Sequence, residues 1–153
     1  SGLVEHIQAK GLVRSGDAAI SQMTEKAMKT IGVEYTSQTE PVFLSPTKEL
    51  AYFWACEKAA VRSRRLGQEE QPVVLQLKLS ESLSSKVRPD VGAAPMLMTG
   101  EHPYLTFLKD YYQARGKELD LTDAGGSSRE RFLASLGLAY LDEDISTDWV
   151  SVL

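Results

Sequence analysis

Residues that build disulfides and metal sites are scarce in this sequence, which has one cysteine and two histidines among 153 residues. Because Cys56 is alone, it cannot form a disulfide within the chain, and nothing in the sequence demands an oxidising compartment. His6, Cys56 and His102 are far apart, and no Cys-x-x-Cys or His-Glu-x-x-His motif occurs. The sequence therefore predicts no structural zinc and no metal cofactor.

Long hydrophobic runs and an excess of positive charge are missing as well. The longest nearly apolar run covers residues 91–98 and contains Gly92 and Pro95, whereas a membrane-spanning helix needs about 20 apolar residues. The chain has 17 Lys and Arg against 21 Asp and Glu, and this net charge of −4 argues against a broad electrostatic grip on nucleic acid. We expect residues 1–153 to form a single domain without a membrane contact.

Short motifs of several enzyme classes are also absent. There is no Gly-x-Ser-x-Gly nucleophile elbow, so a hydrolase triad has no support from the sequence. Neither Gly-x-x-x-x-Gly-Lys-Ser nor Gly-x-Gly-x-x-Gly occurs, which excludes phosphate-binding loops of those two kinds.

Glycine, proline and cap residues divide the chain into helices and strands. The strongest local signal is Ser45-Pro46, because Ser accepts backbone N–H bonds at an N-cap and Pro loses no needed donor at the first helical position. Helices are predicted over residues 3–10, 17–30, 46–65, 103–115 and 127–136, and strands over residues 41–44, 72–79, 138–141 and 149–153. We expect residues 41–44 to be buried and residues 72–79 to alternate as a half-buried strand does. This order of elements is typical of a mixed α+β fold.

The order of signals between residues 7 and 79 resembles the first half of small ADP-ribosyltransferase-like domains. Poly-ADP-ribose polymerases, mono-ADP-ribosylating toxins and RNA 2′-phosphotransferases share this fold. A helix leads to the Gly11-Leu12 step, the run Val-Phe-Leu-Ser-Pro at residues 42–46 opens a helix, and a strand at residues 72–77 follows. Residues 140–150 are similar to the closing element of the family. The resemblance implies an ADP-ribosyltransferase-like split antiparallel sheet with flanking helices.

The same resemblance implies a substrate and a set of site residues. NAD would be the substrate, and ADP-ribose would pass to a macromolecular acceptor, either a protein or a nucleic acid. Cleavage of the nicotinamide–ribose bond builds positive charge on the ribose and so requires a carboxylate, for which Glu130 and Glu143 are the candidates. Phe43 and Ser45 fall on the strand that borders the nicotinamide pocket in the family, and Tyr52 lies where a stacking aromatic often comes from the next helix. The toxins of the superfamily imply a toxin or effector, which acts in the cytoplasm or is delivered into the cytoplasm of a host or target cell.

The start of the chain departs from the family pattern. Family members begin with a strand that carries His-Gly-Thr or an equivalent Arg before the Gly-Leu step, and that residue holds the NAD ribose. Here only ten residues precede Gly11, and His6 lies on the predicted helix. We expect that the first strand lies outside this sequence, that another chain supplies it, or that this domain is not catalytic.

Two other interpretations remain open. One is a non-enzymatic protein-interaction module on an α+β scaffold, in which an aromatic stripe forms either the core or the partner surface. The apolar residues concerned are Tyr104, Phe107, Tyr111 and Tyr112, together with Met96 and Met98. The other is an unrelated small enzyme, such as an NAD glycohydrolase or a nuclease.

Overall fold

The computed structural model describes residues 2–14, 18–36, 39–93, 95, 102–119, 131 and 134–153. Helices and short antiparallel strands alternate in this part of the chain, so the fold is mixed α+β, as predicted. The helices are α1 (Gly2–Lys10), α2 (Ala18–Thr30), α3 (Lys48–Leu66), α4 (Glu81–Ser84) and α5 (Pro103–Gln113). The strands are β1 (Val42–Leu44), β2 (Leu75–Leu77), β3 (Arg88–Pro89), β4 (Ala139–Leu141) and β5 (Val150–Val152). Short 3-10 turns cover Val91–Ala93 and Thr147–Trp149.

The strands form two small antiparallel sheets. The first has the order β1-β4-β3, and the second pairs β2 with β5. In the first sheet Phe43 lies opposite Tyr140, and Tyr140 lies opposite Arg88 on the other side. Because residues directly opposite each other in a sheet project to the same face, these three side chains share one face.

The helix that follows β1 begins two residues later than Ser45-Pro46 predicts. Its N-cap is Thr47, which has extended backbone angles and whose hydroxyl accepts a hydrogen bond from the N–H of Leu50 at 3.4 Å. Thr offers the same hydroxyl acceptor as Ser, so the first turn can form at Thr47 while Ser45 and Pro46 make the bend out of β1. The predicted end is confirmed, because Gly67 adopts a left-handed conformation with φ 65° and closes α3.

The core lies where α3 and α5 pack together. Leu50, Tyr104, Leu108 and Leu136 are buried and form one cluster, and partly buried aromatic residues surround it. The Tyr104 hydroxyl donates a hydrogen bond to the carbonyl of Leu136 at 2.5 Å. The aromatic stripe of α5 therefore builds the core: Tyr104 has no exposed surface, and Phe107, Tyr111 and Tyr112 pack partly buried against the cluster. Met96 and Met98 lie outside the described residues.

Strand burial differs from the expectation in both sheets. Residues 41–44 are not a buried strand, because Phe43 is 58% exposed at the centre of β1. It projects to the outer face of a sheet whose other face is covered. The predicted alternation over residues 72–79 holds within β2, where Gln76 is exposed between two partly buried leucines. It ends before β2, where Val74 is buried and Val73 is exposed.

Candidate functional site

A cleft of about 1710 Å³ is lined by residues of both sheets and of α1, α2 and α3. All three residues of β1 and all three residues of β2 border it. Pockets for small ligands typically measure about 300–1,000 Å³, so this cleft is an extended, half-open feature rather than a closed single-ligand cavity.

Helix α3 turns one continuous face toward the cleft. Ala51, Trp54, Ala55, Lys58 and Arg62 line it, at the i, i+3, i+4, i+7 and i+11 spacing of a single helix face. The side chains at the start of this face are small except for Trp54, which places one large aromatic beside two alanines. Trp54 was not selected as a site residue from the sequence.

Trp54 contacts both the cleft and the aromatic core. Its ring lies 4.9 Å from that of Tyr104 and 5.8 Å from that of His102, measured between ring centroids. Aromatic pairs at these distances stabilise each other's orientation. The indole is therefore held in place by packing against these rings.

Of the residues predicted to bind NAD, Phe43 and Ser45 line the cleft. Ser45 is partly buried at the end of β1, next to the bend that leads into α3. Phe43 lies in the same strand, with its ring exposed on the sheet face that it shares with Tyr140. These two positions are brought together by the strand and share the cleft with Trp54.

Tyr52 lies on a different face of α3 and is not among the residues that line the cleft. Its side chain is 51% exposed, and the neighbouring thiol of Cys56 one turn later raises the pKa of its hydroxyl. The stacking role of Tyr52 stays a prediction, and Trp54 is the α3 aromatic that borders the cleft.

The two candidate carboxylates are placed differently. Glu143 follows β4 in an acidic turn and does not line the cleft, and its Oε1 lies 2.6 Å from Nζ of Lys86 in an ion pair. Glu130 lies outside the described residues. Asp90, directly after β3, is a carboxylate of the same sheet that does border the cleft, and it accepts a hydrogen bond from the N–H of Gly92 at 2.9 Å.

The acidic turn is fixed by Arg14. The backbone N–H and Nε of Arg14 donate to Oδ1 of Asp144 at 2.9 and 3.2 Å, and one terminal nitrogen donates to Asp142 at 2.7 Å. These contacts lower the pKa of Asp144, the backbone hydrogen bond having the largest effect. Arg14 thus joins the segment after α1 to the turn that carries Glu143.

The ion pair between Arg62 and Glu70 lines the cleft near the end of α3. Nε of Arg62 lies 3.3 Å from Oε1 of Glu70, and both side chains are mostly buried, at 18% and 13% exposure. Lys58, one turn earlier, is exposed and contributes a positive charge to the same face. The α3 side of the cleft therefore carries a solvated cation beside apolar surface.

The residues that the structure describes contain no group of three or more His, Cys, Asp or Glu side chains that is arranged to hold a metal ion. None of the helices among them is long and apolar enough to cross a membrane.

Comparison of the whole chain with models of protein families, with curated proteins and with solved structures found no match.

Proposed function

We propose that this chain is an NAD-dependent ADP-ribosyltransferase that transfers ADP-ribose to a macromolecular acceptor, either a protein or a nucleic acid. The observation that carries the proposal is that Phe43 and Ser45, selected by resemblance, line one cleft together with Trp54 of the following helix. The toxins among the proteins that the sequence resembles favour a toxin or effector role in the cytoplasm of the producing cell or of a target cell.

The proposed chemistry breaks the bond between the nicotinamide nitrogen and the ribose. The bonding electrons leave with nicotinamide, the ribose becomes oxocarbenium-like, and a nucleophile of the acceptor forms the new bond and loses its proton. Trp54 or Tyr52 would stack on the flat nicotinamide ring, and Ser45 would hold the carboxamide or the ribose. A carboxylate must stabilise the positive charge on the ribose, and Glu130, Glu143 and Asp90 are the candidates.

The test is to incubate the protein with NAD and to measure nicotinamide release by chromatography, and the change of melting temperature, in parallel. We expect release above the rate without protein. NAD at about 100 times its Kd should also add about 2.7 kcal/mol to the free energy of unfolding. The absence of both nicotinamide release and a rise in melting temperature at saturating NAD would refute the proposal.

Two alanines of α3 provide a matched pair of variants. Ala51 lines the cleft, whereas Ala60 is exposed and is not one of the lining residues. Ala51→Leu fills part of the cleft without removing a polar group, so it should abolish NAD binding, whereas Ala60→Leu should bind as wild type does. Equal binding by both variants would show that NAD does not occupy this cleft.

Tyr52→Ala then distinguishes the two aromatic residues. Loss of NAD binding would assign the stacking role to Tyr52. Unchanged binding would leave that role to Trp54. Trp54→Phe is then the variant of choice, because it keeps an aromatic ring in the core and in the cleft.

A further inference from the structure

One wall of the cleft is formed by residues 2–14, which comprise α1 and the residues directly after it and are called here the α1 segment. Eight residues of this segment line the cleft. No residue of α1 is buried, and only Val4 and Ile7 are partly buried. Isolated helices shorter than about 12–15 residues are marginal in water, and α1 has nine residues. The position of this wall therefore depends on contacts beyond the helix itself.

Hydrogen bonds hold the α1 segment at its carboxyl end. Within the part of the chain that the structure describes, only Leu12 and Arg14 of this segment form hydrogen bonds with other segments. Leu12 exchanges two backbone hydrogen bonds with Ile145, each at 2.9 Å, and the carbonyl of Arg14 accepts one from the N–H of Glu40 at 3.0 Å. The helix is therefore fixed by the residues that follow it.

The side chain of Arg14 supplies the ionic part of this attachment. Its guanidinium forms ion pairs with Asp142 at 2.7 Å and with Asp144 at 3.2 Å, and these three residues are called here the latch. A charge network contributes more than an isolated surface pair does. Ile145 directly follows Asp144 in the chain, so the latch lies beside the bridge between Leu12 and Ile145. The two attachments therefore act on the same end of α1.

The latch is accessible to solvent ions. The side chain of Arg14 is 30% exposed, and those of Asp142 and Asp144 are 72% and 57% exposed. Salt screens charges in such positions, since the Debye length falls from about 30 Å at 0.01 M to about 3 Å at 1 M ionic strength. Ile145 is buried, and the backbone hydrogen bonds of the bridge carry no net charge. Salt therefore weakens the latch much more than it weakens the bridge.

The core does not depend on the α1 segment. The buried cluster of Leu50, Tyr104, Leu108 and Leu136 and the residues packed against it include none of residues 2–14. Segments with few buried apolar contacts open at a lower free energy than the core does. The α1 segment can therefore leave the cleft while the core stays packed.

We propose that the α1 segment is a lid on the cleft, held closed by the latch, and that rising ionic strength opens it. Screening of the ion pairs of Arg14 releases the charged end of the segment, and the bridge between Leu12 and Ile145 then opens with it. The cleft loses one wall and becomes accessible from that side. This inference concerns access to the cleft and does not rest on the proposed enzymatic activity.

The first test is amide hydrogen exchange of the unaltered chain, followed by NMR at about 0.01 M and about 1 M NaCl. Exchange at Gly11, Leu12 and Ile145 should be about threefold or more faster at high salt, the effect of losing two exposed ion pairs. Exchange at Leu108 in the core should not change. Equal exchange at the two salt concentrations, equal acceleration at Leu108, or a lack of protection at Gly11 even at low salt would overturn the proposal.

Two cations of the same turn provide matched variants. Arg14→Gln keeps the stem of the side chain and the backbone N–H but removes the latch, whereas Lys86→Gln breaks the ion pair with Glu143, whose atoms lie 2.6 Å apart. At low salt Arg14→Gln should speed exchange at Leu12 about threefold or more and should abolish its salt dependence. Lys86→Gln should behave as wild type does. Equal behaviour of the two variants would overturn the proposal.

Access to the cleft can be measured by alkylation of an added thiol. Ile7 is partly buried and lines the cleft, so Ile7→Cys in a Cys56→Ala background places one thiol on the inner side of the lid. Its reaction with neutral iodoacetamide should be about threefold or more faster at high salt, and with Arg14→Gln added it should be fast at both salt concentrations. Ala60→Cys, at an exposed position of α3, is the control and should react equally at both. A rate at Ile7→Cys that does not depend on salt would overturn the proposal.

Discussion

Among the glycines that the structure describes, Gly11 is the position at which we expect the largest effect of a single added methyl group. It ends α1, is buried, and has φ 78°, a conformation that L side chains rarely adopt. Leu12 follows it and forms a bridge with Ile145, in which each N–H donates to the other residue's carbonyl at 2.9 Å. A Cβ added at Gly11 would overlap the carbonyl oxygen of Ile145, a backbone atom that cannot rotate away.

The cost of Gly11→Ala can be built from two contributions. The left-handed conformation costs a non-glycine residue about 1–2 kcal/mol. Relief of the overlap requires Ile145 to move, which breaks both hydrogen bonds of the bridge at about 1 kcal/mol each. We therefore expect the free energy of unfolding to fall by about 3–4 kcal/mol, measured by urea denaturation with the m-value checked for two-state behaviour.

Gly32→Ala is the control for this prediction. Gly32 follows α2 with φ 74°, and an added Cβ there meets no atom within 4 Å. It should cost only the conformational contribution, about 1–2 kcal/mol. If Gly11→Ala is no more destabilising than Gly32→Ala, the bridge between Leu12 and Ile145 does not hold the segment as described.

Two further predictions concern hydrogen bonds and pH. Tyr104→Phe leaves the buried carbonyl of Leu136 without its donor and should cost about 1–3 kcal/mol at neutral pH in the same denaturation assay, so an unchanged value would contradict the bond. Burial raises the pKa of Tyr104 to about 12, so its neutral form contributes stability that is complete below the ordinary value of about 10 and is lost as pH rises toward 12. Tyr104→Phe should flatten that alkaline decline, and an equally steep decline would count against the assignment. Arg14 lowers the pKa of Asp144, so this carboxylate's contribution is present above the ordinary Asp value and is lost as pH falls through the lowered one. Arg14→Ala keeps the backbone N–H that donates to Asp144, so the pKa of Asp144, measured by NMR titration, should rise only partway toward the ordinary Asp value. An unchanged pKa would show that the guanidinium does not lower it.

The helices were largely predictable because the residues at their ends specify where each helix begins or ends. Gly11, Gly32, Gly67 and Gly137 each mark an observed change of direction, and all have positive φ. This signal needs no knowledge of the rest of the chain, since only glycine adopts such angles at little cost. The predicted start of α3 at Ser45-Pro46 was wrong by two residues, because Thr47 offers the same cap chemistry as Ser45 and the position of the cap depends on how β1 joins the helix.

Burial along the strands could not be predicted as well, since it depends on pairing between distant residues. The run of apolar side chains around Phe43 predicts a core residue, yet Phe43 is exposed. It shares its face of the sheet with Tyr140, the residue opposite it in β4. Nothing near Phe43 in sequence specifies that β4 pairs with β1. The alternation of side chains in a strand fixes two faces, and only the tertiary pairing decides which of them is covered.

The same limit explains the outcome for α3. Apolar or small side chains occur around most of its first half, so periodicity alone did not separate the face toward α5 from the face toward the cleft. Tyr52 was selected as the stacking residue by the resemblance to ADP-ribosyltransferase-like domains, and the periodicity gave no reason to prefer Trp54. In the structure Trp54 belongs to both environments, whereas Tyr52 lies on another face of α3 and does not line the cleft.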